Sequence, residues 1–186
     1  MKIATLKIAV FLLAISFTNC YKDEAPLPPL QQLPPMTQVG ANTVGCLVNG
    51  EAFLPKGSNP TGSPIVTCFY QFLDGNYEFG LGFNNNEKKP LVRRVSIQTN
   101  KLKFTEGQTY DLKAETSEDS AYAYFILGGN QYGYGTTNTF TGELTITKLD
   151  PTKAIISGTF WFDAKRANTD EVIKIRDGRF DMQYSQ

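Results

Sequence analysis

Residues 139–184 read TFTGELTITKLDPTKAIISGTFWFDAKRANTDEVIKIRDGRFDMQY, and this stretch decides the fold. β-Branched and aromatic residues alternate with polar ones over Thr139–Leu149, Ala154–Ala164, Glu171–Ile175 and Arg179–Tyr184. Asp150-Pro151, the polar run Lys165–Asp170 and Asp177-Gly178 punctuate them. A period of two with turn residues between runs predicts a meander of strands. In Phe160-Trp161-Phe162 the alternation predicts the two phenylalanines in the core and the tryptophan on the other face.

The same reading extends toward the N-terminus. Thr43–Val48 and Glu51–Pro55 flank Asn49-Gly50, and Ile65–Leu73 and Asn76–Phe83 flank Asp74-Gly75. Both dipeptides suit two-residue hairpins, whose central residues need positive φ. Residues 56–64 read as a loop, and Asn84–Pro90 as a polar connection. Further strands are predicted at Leu91–Thr99, Thr109–Leu112 and Ala121–Leu127, the last turning at Gly128-Gly129-Asn130 into Gln131–Thr136. No helical period interrupts them. About ten strands without crossover helices imply an all-β domain over residues 39–186, an antiparallel β-sandwich or barrel.

Composition excludes several chemistries. The chain has 186 residues, 18 basic and 18 acidic side chains, and no histidine. Without histidine there is no Ser-His-Asp or Cys-His apparatus and no histidine metal ligand. The basic residues form no long run, which argues against nucleic acid. No catalytic set, metal site or cofactor site is predicted. The acids Glu115, Glu118, Asp119, Asp163, Asp170, Glu171, Asp177 and Asp181 read as solvated charges; a carboxylate hydrolase would need two of them to converge on one bond.

The first 36 residues read as an address. Lys2 and Lys7 precede the apolar run Ile8–Phe17, which at ten residues is short for a membrane span and fits a signal peptide over 1–19. Phe17-Thr18-Asn19-Cys20 resembles the lipobox of bacterial lipoproteins, with Phe17 and Asn19 in place of the usual Leu and small residue. The resemblance implies acylation of Cys20 and attachment to a membrane, since two or three acyl chains anchor stably where one does not. Tyr21-Lys22-Asp23-Glu24 resembles the surface-export signal of Bacteroidota lipoproteins, which implies an outer-membrane protein exposed at the cell surface. Residues 25–36 hold five prolines, so 20–38 reads as an extended tether.

Asn42–Pro55 (NTVGCLVNGEAFLP), Ser157–Asp163 (SGTFWFD) and Asp177–Asp181 (DGRFD) together resemble a Bacteroidota lipoprotein family catalogued as a domain of unknown function. The resemblance implies a β-rich exported domain and brings no catalytic residues. With Cys20 acylated, Cys46 and Cys68 remain, either as a disulfide or as two buried thiols.

Aromatic residues give the leading binding candidate. Tyr122 and Tyr124 share one strand face, and Tyr132 and Tyr134 share a face of the next. Pairing across the turn would join the four rings into one platform beside Asn130 and Gln131, suited to stacking on sugars. The competing reading places these rings in a sheet face or the core. The expected role is a non-enzymatic binding module for a glycan or an envelope protein. The alternative is a structural or assembly component that accepts a partner strand on an open sheet edge.

Overall fold

A computed structural model describes residues 25–87, 92–116, 118–128 and 132–186. Cys20, the signal peptide, Asn130 and Gln131 lie outside the described residues.

Both predicted hairpins form. Asn49 and Gly50 adopt φ of 50° and 88°, and Asp74 and Gly75 adopt 48° and 84°, as tight turns between twisted strands require. The first joins β1 (Thr43–Val48) to β2 (Glu51–Phe53), and the second joins β3 (Val66–Leu73) to β4 (Asn76–Asn85). There follow β5 (Arg93–Asn100), β6 (Thr109–Leu112), β7 (Ser120–Leu127), β8 (Tyr132–Gly135), β9 (Gly142–Asp150), β10 (Ile155–Arg166) and β11 (Val172–Gln183).

The eleven strands form one sheet in the order β2-β1-β11-β10-β9-β6-β7-β5-β4-β3, with β8 pairing β7 and β10. Pairing is antiparallel except where β6 meets β7 in parallel at Leu112 and Ala121. The sheet curls until its ends meet. Phe69 of β3 bridges Ser185 just beyond β11, and Lys56 beyond β2 bridges Asn85 of β4. The result is an all-β, barrel-like body. Its interior is filled by inward side chains, among them Phe83, Val95, Ile97, Ile146, Phe162 and Ile175, all fully buried. Phe160 is buried too, and Trp161 points outward at 36% exposure, as the alternation predicts.

Three features depart from the sequence reading. Asp177-Gly178 is a bulge inside a continuous β11 and not a turn: Phe160 pairs Gly178 while Phe162 pairs Ile175, and Asp177 takes a φ of 52°. One extra residue on β11 absorbs the positive φ that the dipeptide favours. Asn84, Asn85 and Asn86, predicted to begin a polar connection, are buried, and the first two end β4. They sit in a polar cluster: Asn84 accepts from Arg94 at 2.9 Å, Asn85 accepts from Arg93 at 3.0 Å, and Asn86 donates to Asn59 at 2.7 Å, while the Asn86 Oδ1 is buried without a partner.

The third concerns the predicted tether. A 3-10 turn at Pro29–Gln32 leads into a strap that lies on the outer face of the sheet. Leu33 is buried, and Leu33 and Pro34 pack over Gly45 of β1. Gln38 donates to the Thr147 carbonyl on β9. The strap is fixed by Asp181 of β11, which is only 1% exposed. Its Oδ2 accepts from Thr37 Oγ1 (2.6 Å) and from the N–H groups of Val39 and Ala41 (3.1 Å each). Its Oδ1 accepts from the Gly40 N–H and Ser157 Oγ, both at 2.8 Å. From Leu33 onward, therefore, the chain is part of the folded body, inside the 20–38 segment that the sequence reading takes as a tether.

Candidate functional site

The four tyrosines do not form one platform. β7 and β8 pair Tyr124 with Gly135 and Phe125 with Tyr134, so Tyr134 shares the face of Phe125, opposite to Tyr124. Tyr134 is buried against Phe125 at a centroid distance of 6.2 Å and donates to Glu171 at 2.8 Å. Tyr122 and Tyr124 do share a face, at 5.6 Å between rings, but both hydroxyls are engaged. Tyr122 donates toward Gln98 and Asn100 (3.1 and 3.2 Å), and Tyr124 to Glu115 (2.7 Å). Burial, and next Glu115, push the Tyr122 hydroxyl up to about 12. Tyr132 pairs with Leu127 through the backbone.

An aromatic cleft forms elsewhere, at the end of the β3–β4 hairpin. The two-residue turn pairs Tyr70 with Phe79 and Phe72 with Tyr77, which puts the four rings on the inner face. The hairpin overruns the barrel end, so this row runs from core to solvent. Phe79 is buried, Tyr70 nearly so, and Phe72 is 63% exposed. Tyr70 stacks on Tyr77 at 5.1 Å and on Phe104 at 5.4 Å. Phe72 leans on Tyr77 at 4.9 Å. The Tyr70 hydroxyl accepts from the Phe104 N–H at 2.9 Å, and burial lifts its pKa to about 12, so it stays a neutral donor at physiological pH.

Gln71, Leu73, Lys103 and Gln186 complete a cleft of about 490 Å³. Lys103 Nζ lies 5.6 Å from the Tyr77 ring centre, within cation–π range. Among the described residues that line it, Lys103 is the one with a charged side chain. The sequence held the signal: a two-residue turn at 74–75 fixes which of Tyr70, Phe72, Tyr77 and Phe79 face together.

Four of the eight named acids are engaged in ion pairs. Asp163 meets Arg176 at 2.6 Å, Asp170 meets Lys165 at 3.3 Å, Glu171 meets Arg166 at 3.2 Å, and Glu118 meets Lys101 at 2.8 Å. Asp177 lines a shallow groove of about 330 Å³ with Glu143, Trp161, Arg179 and Met36. Among the described residues, no group of three or more Cys, Asp or Glu is placed to hold a metal ion.

Cys46 and Cys68 are free thiols and not a disulfide. Burial raises both, Cys68 to about 12 and Cys46 further, so neither supplies appreciable thiolate at neutral pH. A thiol reagent such as DTNB at pH 8 is expected to leave Cys46 unmodified in the native protein, to reach the half-buried Cys68 only slowly, and to titrate both after unfolding. Fast reaction of Cys46 in the native state would contradict its burial.

The segment from just before β5 through most of β11 carries the decisive comparison. A DUF6252 domain of unknown function is found at residues 91–182. The DUF6252 match contains Trp161, Asp181 and the Tyr122–Tyr124 pair, whereas the β3–β4 hairpin of the aromatic cleft lies outside it. Searches of the curated proteins and of the solved structures give no match.

Proposed function

We propose that this protein is a non-enzymatic binding module of a bacterial cell envelope, held at the outer membrane through acylated Cys20, and that the β3–β4 cleft takes a glycan. The observation that carries the reading is the graded aromatic row Tyr70–Tyr77–Phe72, which exposes ring surface beside two amides and one lysine. Sugar C–H faces stack on such rings while hydroxyls find amide partners. The single positive charge on the wall favours an acidic saccharide over a basic ligand.

The open-edge reading, in which the protein accepts a partner strand, has less support. The outer edge of β3 is already bonded around Phe69: Tyr70 N–H donates to Ser185 O and Ser185 N–H to Cys68 O, each at 3.1 Å.

A glycan array followed by titration tests the proposal. Phe72→Ala and Tyr77→Ala are expected to weaken binding of an acidic oligosaccharide at least about tenfold, the equivalent of about 1.4 kcal/mol. Lys103→Ala should lower affinity for acidic sugars more than for neutral ones. A glycan whose binding survives Phe72→Ala in a folded protein would place recognition elsewhere.

A further inference from the structure

Among the described residues, large exposed apolar side chains are few, and most of them belong to the N-terminal segment. Leu27, Leu30, Met36 and Val39 are between 50% and 71% exposed. All four belong to the N-terminal segment that lies on or leads onto the outer face of β1 and β11. Trp161, outward on β10, lines the same groove as Met36 and Arg179. Only Phe72 and Leu73, of the aromatic cleft, are comparably exposed elsewhere among the described residues.

The strap does not hang free. Asp181 and Leu33 fix it to the sheet, and Arg179 Nη1 donates to the Pro34 carbonyl at 3.4 Å. Its apolar side chains are therefore presented in a set orientation and not on a random coil. Four large apolar side chains exposed within thirteen residues suit an apolar partner, and the chain itself indicates which one. Leu27 is seven residues from Cys20, so a fully extended backbone separates them by at most about 25 Å.

From this arrangement we infer that Leu27, Leu30, Met36 and Val39 form a membrane-contact face that seats the barrel on the bilayer, with Trp161 at its edge. The inference rests on the proposal that Cys20 is acylated. The acyl chains would hold the strap at the lipid surface, and the strap would set how the barrel is tilted on it. Trp161 suits the boundary between headgroups and chains, where amphipathic aromatic rings concentrate. Its indole donates to Glu143 at 3.1 Å, and Arg176 lies 5.3 Å from its ring centre. Around it Glu143, Asp163 and Asp177 nearly balance Arg176 and Arg179. Such a mixed rim fits zwitterionic headgroups better than a strongly anionic surface. The face would leave the β3–β4 cleft to engage its ligand independently of the lipid.

Trp161 is the only tryptophan in the chain, which makes the test direct. The full-length protein is processed in a bacterial host and reconstituted into phosphatidylethanolamine vesicles with a minor phosphatidylglycerol fraction. Mass spectrometry of the N-terminal peptide reports acylation, and quenching of tryptophan emission by lipids brominated near the headgroup reports contact. The expected result is an acylated chain whose emission is quenched, with Leu30→Asp and Met36→Asp together reducing quenching to that of the detached domain. Unchanged thermal unfolding of the double variant would show that the fold is kept. An acylated, vesicle-bound protein that is not quenched would overturn the contact face while leaving the anchor intact. Quenching that ignores both substitutions would overturn it as well. An unacylated N-terminus would remove the anchor, and the inference with it.

Discussion

Asp181→Asn is expected to destabilise the domain by about 3 kcal/mol at pH 7, nearly as much as Asp181→Ala. The carboxylate accepts from five donors, three of them backbone N–H groups that cannot turn away. An amide in its place would point an NH₂ at some of those donors, leaving buried N–H groups unpaired. Burial alone would raise this carboxyl. The donations from Thr37, Val39, Ala41 and Gly40 outweigh that and hold it down to about 2. The folded value is below the usual carboxylate value of about 3.9. The stabilisation from the charge, about 2 kcal/mol, is therefore fully present above pH 5 and is lost as pH falls toward 2. Urea unfolding at a series of pH values checks this: the gap between wild type and Asp181→Asn should narrow from pH 4 downward. A gap that stays constant down to pH 2 would mean that the charge contributes nothing to holding the strap.

Phe162→Ala is expected to lower stability by about 4 kcal/mol, the range for deleting a buried aromatic ring, through lost transfer energy and the cavity left behind. For a domain of this size that corresponds to a fall of about 10 °C in the unfolding temperature. Trp161→Ala, one residue away, should cost under about 1 kcal/mol, because its ring is partly solvated and its partners Glu143 and Arg176 are at the surface. Differential scanning calorimetry of the two variants gives the comparison. A larger loss for the tryptophan variant would reverse the facing of β10.

The alternation over Phe160–Phe162 was legible because a strand with one buried face must place every second side chain inside. Asn49-Gly50 and Asp74-Gly75 were legible for a local reason, since they supply positive φ where a two-residue turn needs it. Asp177-Gly178 supplies the same thing and was misread, because a bulge uses that conformation equally well and only the partner strands decide between them. The tyrosine platform failed on loop parity. Residues 128–131 separate β7 from β8, and a four-residue loop sets even-numbered residues of one strand against odd-numbered residues of the other. Tyr124 therefore meets Gly135, and Tyr134 meets Phe125. The same parity, applied at residues 74–75, assembles the aromatic cleft.

Long-range partners account for the remaining differences. Asp181 looks like any acid in a terminal strand, and nothing near it in the sequence announces donors some 140 residues upstream. The prolines of 25–36 do predict extended backbone, but an extended segment can lie on a sheet as readily as it can span solvent. Asn84–Asn86 read as the start of a polar connection because asparagine favours turns. Here the loop at 56–64 folds over them and Arg93 and Arg94 reach across, so that most of their amide groups find partners.

The seam between Phe69 and Ser185 dictates an order of events. The strap and β1 both depend on β11, and β3 is sealed at Phe69 by Ser185 beyond β11, so in a chain synthesised from its N-terminus these pairings wait until residues 172–185 have been made. Hairpins can flicker into existence before then, but the ring cannot shut. A polypeptide wired in this way leaves its closure to the end, when β11 and the residues just beyond it take their places.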